Sequence, residues 1–108
     1  MGKERRPEER VELYWRKWCP FSLRALYHLW RHRVPYKSIC ITGRYELRDE
    51  IERRCGRRDV PQLFVDGNYV GDDDAIWEWA ATGKLDALAR EIRAQLAQQS
   101  REDRTATR

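Results

Sequence analysis

The chain has few cysteines, a single methionine and no long apolar run, and these shortages exclude whole classes of protein. Three cysteines in 108 residues is an odd number, without the close pairing that marks a structural zinc site. They are expected as free thiols in a reducing compartment rather than as a disulfide scaffold. No stretch of about eighteen apolar residues occurs, so neither a spanning helix nor a membrane partner is expected. The opening Met1-Gly2-Lys3-Glu4-Arg5-Arg6 lacks the apolar stretch of a secretory signal, which makes the cytoplasm the expected location. Internal repeats and low-complexity segments are also missing. A chain of this length supports one hydrophobic core and hence one domain, expected to act as a monomer.

Charge, by contrast, is plentiful: 22 Lys and Arg stand against 18 Asp and Glu, a net +4. Arg53-Arg54 and Arg57-Arg58 flank Cys55-Gly56, and clustered arginines raise the question of nucleic acid. Asp49, Glu50, Glu52 and Asp59 lie among them without interleaved aromatics, so the patch reads as a solvated helix face and loop with no nucleic-acid partner.

Residues 1–10 alternate charges around Pro7 without an apolar anchor, and residues 99–108 are polar; both are expected to be flexible tails around a domain spanning 11–98. Val11-Glu12-Leu13-Tyr14 alternates as a strand does. The stretch from Pro20 to Arg33 spaces Leu23, Leu26, Leu29 and Trp30 as a helix, with Arg24, His28 and Arg31 turned outward, and it ends before Pro35. Residues 36–41 read as a strand covered on both faces, which places Cys40 in the core. Residues 45–55 read as a helix closed by Gly56, which makes a parallel crossover with the strands beside it. Asp66-Gly67-Asn68 is a tight-turn sequence between two short strands, the signature of a hairpin. Asp72 and Asp73 suit the cap of a helix ending at Gly83, and Leu85, Leu88, Ile92 and Leu96 stripe a last one. The expected fold is α/β: a four-stranded mixed sheet with helices on both faces.

The residues most able to carry chemistry begin at Trp18-Cys19-Pro20-Phe21-Ser22. Pro20 suits the first position of a helix, so Cys19 sits at a helix N-terminus, where backbone dipoles favour thiolate over thiol. Arg16 and Lys17 add positive potential. Ser22 stands where a second cysteine would allow a local disulfide, so any exchange chemistry must use one thiol. Cys55, shortly before Pro61, is a candidate resolving thiol should the fold bring its loop near Cys19, and otherwise reads as a helix-end thiol without a partner. His28 and His32, four apart on one helix, read as polar surface positions rather than metal ligands, and Trp77 and Trp79 as packing residues.

Four motifs in order, Cys19-Pro20-Phe21-Ser22, Asp59-Val60-Pro61, Gly71-Asp72-Asp73-Asp74 and Gly83-Lys84-Leu85, make the run from Val11 to about Ala89 resemble the glutaredoxins. The resemblance implies a thioredoxin-like fold and an enzyme of cell redox homeostasis that transfers electrons between glutathione and protein thiols. It casts Cys19 as the attacking thiolate, with glutathione lying along Arg16, Phe21, Val60, Pro61, Asp73 and Asp74. A cis Val60-Pro61 bond is part of that pattern. So is a glutathione γ-glutamyl carboxylate resting on the amides of Asp73 and Asp74. The expected partners are glutathione and glutathionylated or disulfide-containing proteins, with no metal in the reaction. Two departures matter: Asp59 replaces a threonine and Asp72 a glycine. Three consecutive carboxylates repel an anionic ligand, which leaves intact and weakened glutathione binding both open. Two alternatives stand beside this reading. One is a carrier of a [2Fe–2S] cluster bridged between two subunits, although Pro20 stands where such carriers usually have glycine. The other is a thioredoxin-fold binding module with weakened catalysis.

Overall fold

The computed structural model describes residues 6–106, with side chains as far as Glu102. The elements in chain order are β1 (Val11–Trp15), α1 (Pro20–Arg31), β2 (Lys37–Cys40), α2 (Tyr45–Cys55), β3 (Gln62–Val65), β4 (Asn68–Gly71), α3 (Asp73–Ala81) and α4 (Lys84–Ala106). The strands form one mixed sheet in the order β2-β1-β3-β4. β1 runs parallel to β2 and antiparallel to β3, and β3 is antiparallel to β4.

Alternation along the two central strands divides the core. Val11 and Leu13 of β1 and Leu63 of β3 pack with Ala25 and Leu29 of α1, Ile76 of α3, and Leu85, Leu88 and Ile92 of α4. Tyr14 and Phe64, one residue along, turn to the other face and pack with Ile41 and with Leu47 and Ile51 of α2. Successive strand side chains point to opposite faces, so each strand serves two layers. This is the thioredoxin-like arrangement expected from the sequence. The hairpin also forms as expected: Asp66 and Gly67 adopt φ of 54° and 82°, the left-handed pair that a two-residue turn between twisted strands requires.

Four local expectations are corrected. Residues 6–10 are not a loose tail: Pro7–Glu9 form a 3-10 turn, and Arg10 pairs with Asp66 at 2.7 Å and Glu91 at 2.6 Å. Residues 1–5, the rest of that expected tail, lie outside the described residues. At the other end α4 continues to Ala106 instead of fraying near Gln98; residues 107–108 lie outside the described residues. β2 is an edge strand with Lys37 and Ser38 exposed and Cys40 half-buried, so Cys40 is not a core residue. Finally, α1 stops at Arg31, with Arg33 at φ 58°, and turns Ser22, Ala25 and Leu29 inward. Leu23 and Trp30 are exposed, whereas His28 is half-buried. The apolar positions of this helix span more than one face, and the small Ser22 and Ala25 take the face toward the sheet.

Candidate active site

β1 ends at Trp15 and the chain turns over Arg16, Lys17 and Trp18 into α1. Trp18 takes a left-handed φ of 63°, a conformation that costs a non-glycine residue about 1 kcal/mol or more, and its indole is 88% exposed. Cys19 follows as the cap residue of α1, in extended geometry, with Pro20 in the first turn and the Cys19 carbonyl accepting from the Leu23 amide at 2.9 Å.

The Cys19 side chain is only 8% exposed, and this burial pushes the thiol up. The amide and hydroxyl of Ser22, the amide of Phe21 and the charge of Arg16 outweigh it and hold the thiol below its ordinary value. The charge of Lys17 bears on Cys40, whose thiol is lowered first by the Thr42 hydroxyl, while the Lys17 amide donates to Thr42 Oγ1 at 2.9 Å.

Ser22 does more than the sequence reveals. It is fully buried, its Oγ accepts from the Arg16 amide at 3.2 Å, and it faces the Cys19 sulfur. One hydroxyl therefore ties the loop before the cysteine to the helix after it. A serine three residues beyond a cysteine reads locally as a first-turn residue, and only the folded loop supplies its second partner.

Phe21, in the first turn of α1 after Cys19, lines a hollow of about 210 Å³ together with Asp59, Val60, Pro61, Asp72, Asp73 and Asp74. Phe21, Val60, Pro61, Asp73 and Asp74 of the expected groove are therefore together, whereas Arg16 is not part of this wall. The Val60-Pro61 bond is cis. Two larger hollows, of about 620 and 660 Å³, lie at the far end of α1 and against α4, away from the cysteine.

The acidic loop is held by arginines. Arg57 donates to both oxygens of Asp59, at 3.0 and 2.5 Å, and to Asp72 Oδ2 at 2.9 Å. Asp72 Oδ1 accepts from the Asp74 amide at 3.1 Å and caps α3. Burial alone would raise the Asp72 carboxyl, but Arg57 and the first-turn amides of α3 hold it below the ordinary carboxylate range. Asp73 is buried and paired with Arg24 at 2.9 Å. Gln62 donates to the Asp59 carbonyl at 2.9 Å and accepts from the Tyr69 hydroxyl at 2.7 Å, which braces the loop from behind. Sequence reasoning missed Arg57, because its partners lie two and fifteen positions away.

Elsewhere the arginine patch is taken up internally. Arg54 binds Glu12 and Tyr14 and lies 3.9 Å over the Phe64 ring, and Arg58 holds Asp49 and Glu52. His32 pairs with Asp86 at 2.7 Å, while His28 lies edge-on to Trp77. Cys55 closes α2 with its sulfur 3.9 Å from the Arg57 carbonyl.

A thiol with a lowered proton affinity between a strand and a helix is suited to thiol–disulfide exchange. Residues 11–70 match the sequence model of the glutaredoxin family. The glutaredoxin of Pseudomonas aeruginosa is 38% identical over 78 residues, covering 72% of this chain and 93% of that protein. The oxidised glutaredoxin 2 of Chlamydomonas reinhardtii superposes with a TM-score of 0.69 at 25% identity, covering 82% of this chain and 86% of that one. A buckwheat glutaredoxin–glutathione complex superposes with a TM-score of 0.69 at 20% identity, covering 82% and 83%. The chain belongs to the glutaredoxin family.

Proposed function

We propose that the protein removes glutathione from protein mixed disulfides by a single-thiol route through Cys19. The supporting observation is the thiol at the start of α1, lowered by Ser22, Phe21 and Arg16, with no cysteine at position 22 to close a local disulfide. The Cys19 thiolate attacks the glutathione sulfur of the mixed disulfide, and the S–S bond breaks. The protein thiolate departs and takes a proton from solvent, leaving a Cys19–glutathione disulfide. A second glutathione thiolate attacks the glutathione sulfur of that disulfide, forms oxidised glutathione and restores the Cys19 thiolate. One free glutathione thiol is oxidised for each mixed disulfide reduced, the other half of the oxidised glutathione coming from the mixed disulfide itself.

In this reading Phe21, Val60 and Pro61 line the floor that carries glutathione, Asp73 and Asp74 stand at its end, and the exposed Arg16 meets a carboxylate of the tripeptide. Pro20 starts the helix whose dipole favours the thiolate. Lys17 contributes only general positive potential. The protein works as a cytoplasmic monomer on glutathionylated proteins, since three free thiols suit a reducing compartment. The test compares native protein with Cys19→Ser in the reduction of a glutathionylated peptide. Turnover that vanishes in the variant is expected; equal rates overturn the assignment. A brown protein with visible absorbance that loses its colour in Cys19→Ser would point instead to a cluster carrier.

A further inference from the structure

The hollow of about 620 Å³ at the far end of α1 shares no residue with the one at Pro61. Leu29 and Val34, both buried, and Pro35 give it an apolar lining. Trp30, 74% exposed, and the half-buried Tyr36 add flat aromatic surface. Arg31, Arg33 and Arg93 complete the lining, and among the described residues no carboxylate is part of it. Elsewhere Arg10, Arg24, Arg54, Arg57 and Arg58 each hold a carboxylate at 2.9 Å or closer. Arg31, Arg33 and Arg93 are exposed and, among the described residues, hold none. Arg33 also stands at a conformational cost. The Arg33 amide donates to the Trp30 carbonyl at 3.1 Å and the Val34 amide to the Leu29 carbonyl at 2.9 Å, which closes α1 with Arg33 at φ 58°. Glycine is usual at this left-handed position, because a side chain there costs about 1 kcal/mol. Among the described residues no ion pair of its side chain offsets that cost. The apolar surface continues out of the hollow along one side of α1: Tyr27 lies beside Trp30 with ring centroids 6.1 Å apart, and Tyr27 and Leu23 are both exposed.

We propose that this end of α1 docks an acidic segment of a partner protein, which seats a large apolar side chain in the hollow and sets carboxylates against Arg31, Arg33 and Arg93. Guanidinium groups without an internal partner are free to make paired hydrogen bonds to carboxylates, and an exposed aromatic strip beside them takes apolar side chains. A small free anion would engage the arginines and leave the strip over Tyr27 and Leu23 uncovered, whereas a chain segment covers both. A second copy of this chain would set like charges against each other. The site is separate from the exchange reaction: α1 has 12 residues, so its end lies about 18 Å from its start at Cys19. A partner held there leaves the thiol uncovered.

The test titrates isotope-labelled full-length protein with a short peptide of glutamates flanking a phenylalanine. It follows the Trp30 indole N–H resonance, assigned by its loss in Trp30→Phe. That resonance is expected to shift to saturation with the acidic peptide and to stay in place when lysines replace the glutamates. Arg33→Gly should weaken binding about threefold, the worth of one exposed ion pair. Adding Arg31→Gln and Arg93→Gln should bring the loss to about twentyfold, as separate contacts combine. Glycine suits the left-handed position, so the urea midpoint of Arg33→Gly should hold or rise, which shows that the fold is kept. An unmoved Trp30 resonance, or an affinity unchanged in the combined variant, overturns the inference. So does tighter binding at that resonance by oligothymidylate or by inorganic phosphate, which would assign the site to nucleic acid or to a small anion. A shift that depends on protein concentration without peptide would assign it to a second copy and also overturns it. Iodoacetamide should alkylate Cys19 at the same rate with and without saturating peptide; a peptide that blocks alkylation sits over the thiol instead, and the docking site fails.

Discussion

Replacing Ser22 by alanine separates a thiolate-stabilising hydroxyl from a merely structural one. The hydroxyl accepts from the Arg16 amide and supports the Cys19 thiolate, and a hydrogen bond to a charged group is worth about 1.5 kcal/mol or more. Its loss should lower the acid dissociation constant of Cys19 about tenfold. The thiolate that remains is more basic and therefore about threefold more nucleophilic, because exchange rates rise with roughly the 0.4–0.5 power of thiol basicity. These two effects oppose each other and split by pH. Well below the wild-type pKa the variant should react about threefold more slowly, since a tenfold loss of thiolate outweighs the threefold gain in reactivity. Above both pKa values it should react about threefold faster. The profiles therefore cross. Alkylation of Cys19 by iodoacetamide, followed from acid to alkaline pH by intact mass, reads both limbs. Ser22→Ala also leaves the Arg16 amide without its acceptor, which should cost about 1–2 kcal/mol of stability in urea unfolding. A rate lowered in parallel at every pH, with the inflection unmoved, would mean that Ser22 only holds the loop, and the account of the thiolate would fail.

Three further outcomes follow from the same contacts. Because the folded state lowers the Cys19 pKa, the folded protein binds fewer protons there than the unfolded chain. Stability should therefore rise with pH from the folded pKa up to the unfolded thiol value of about 8.5, then stay level, and fall back as pH drops through the folded pKa. The urea midpoint should lose this slope in Cys19→Ser, and a slope that persists refutes the assignment. Gly71 has φ 146°, and a Cβ there would lie 2.5 Å from the Ala75 Cβ, so Gly71→Ala should cost about 2–3 kcal/mol. Adding Ala75→Gly should recover the steric part and leave the backbone part, as a double-mutant cycle in urea would show; full additivity would contradict the clash. Arg10→Ala removes the pairs to Asp66 and Glu91 and should cost about 1–2 kcal/mol, with faster amide exchange in residues 7–10. No change in that exchange would mean that the N-terminal turn is held by something else.

What could be read along the chain, and what could not, divides by the range of the forces involved. The start of α1 at Cys19-Pro20 was legible because a proline in the first turn and a cap before it are properties of neighbours. The Asp66-Gly67 turn was legible because only a few residue types accept two left-handed conformations in succession. Cys40 was misplaced because an apolar run looks the same in a central strand as at an edge, and only the order β2-β1-β3-β4 leaves β2 outermost. The face of α1 was misjudged because Leu23 and Trp30 are apolar yet exposed; hydrophobic spacing cannot choose between faces when more than one is apolar. The site shows the same division in its electrostatics. Counted along the sequence, Asp72-Asp73-Asp74 is three like charges at the mouth of an anion site. In the fold each has a different fate: one is clamped by Arg57 from the loop after α2, one is buried against Arg24 of α1, and one is exposed. A count of charges treats all three alike, whereas in the fold Asp72 caps the first turn of α3 and accepts from the Asp74 amide. Which arginine reaches which aspartate is thus set by the fold, and no count of charges along the sequence predicts it.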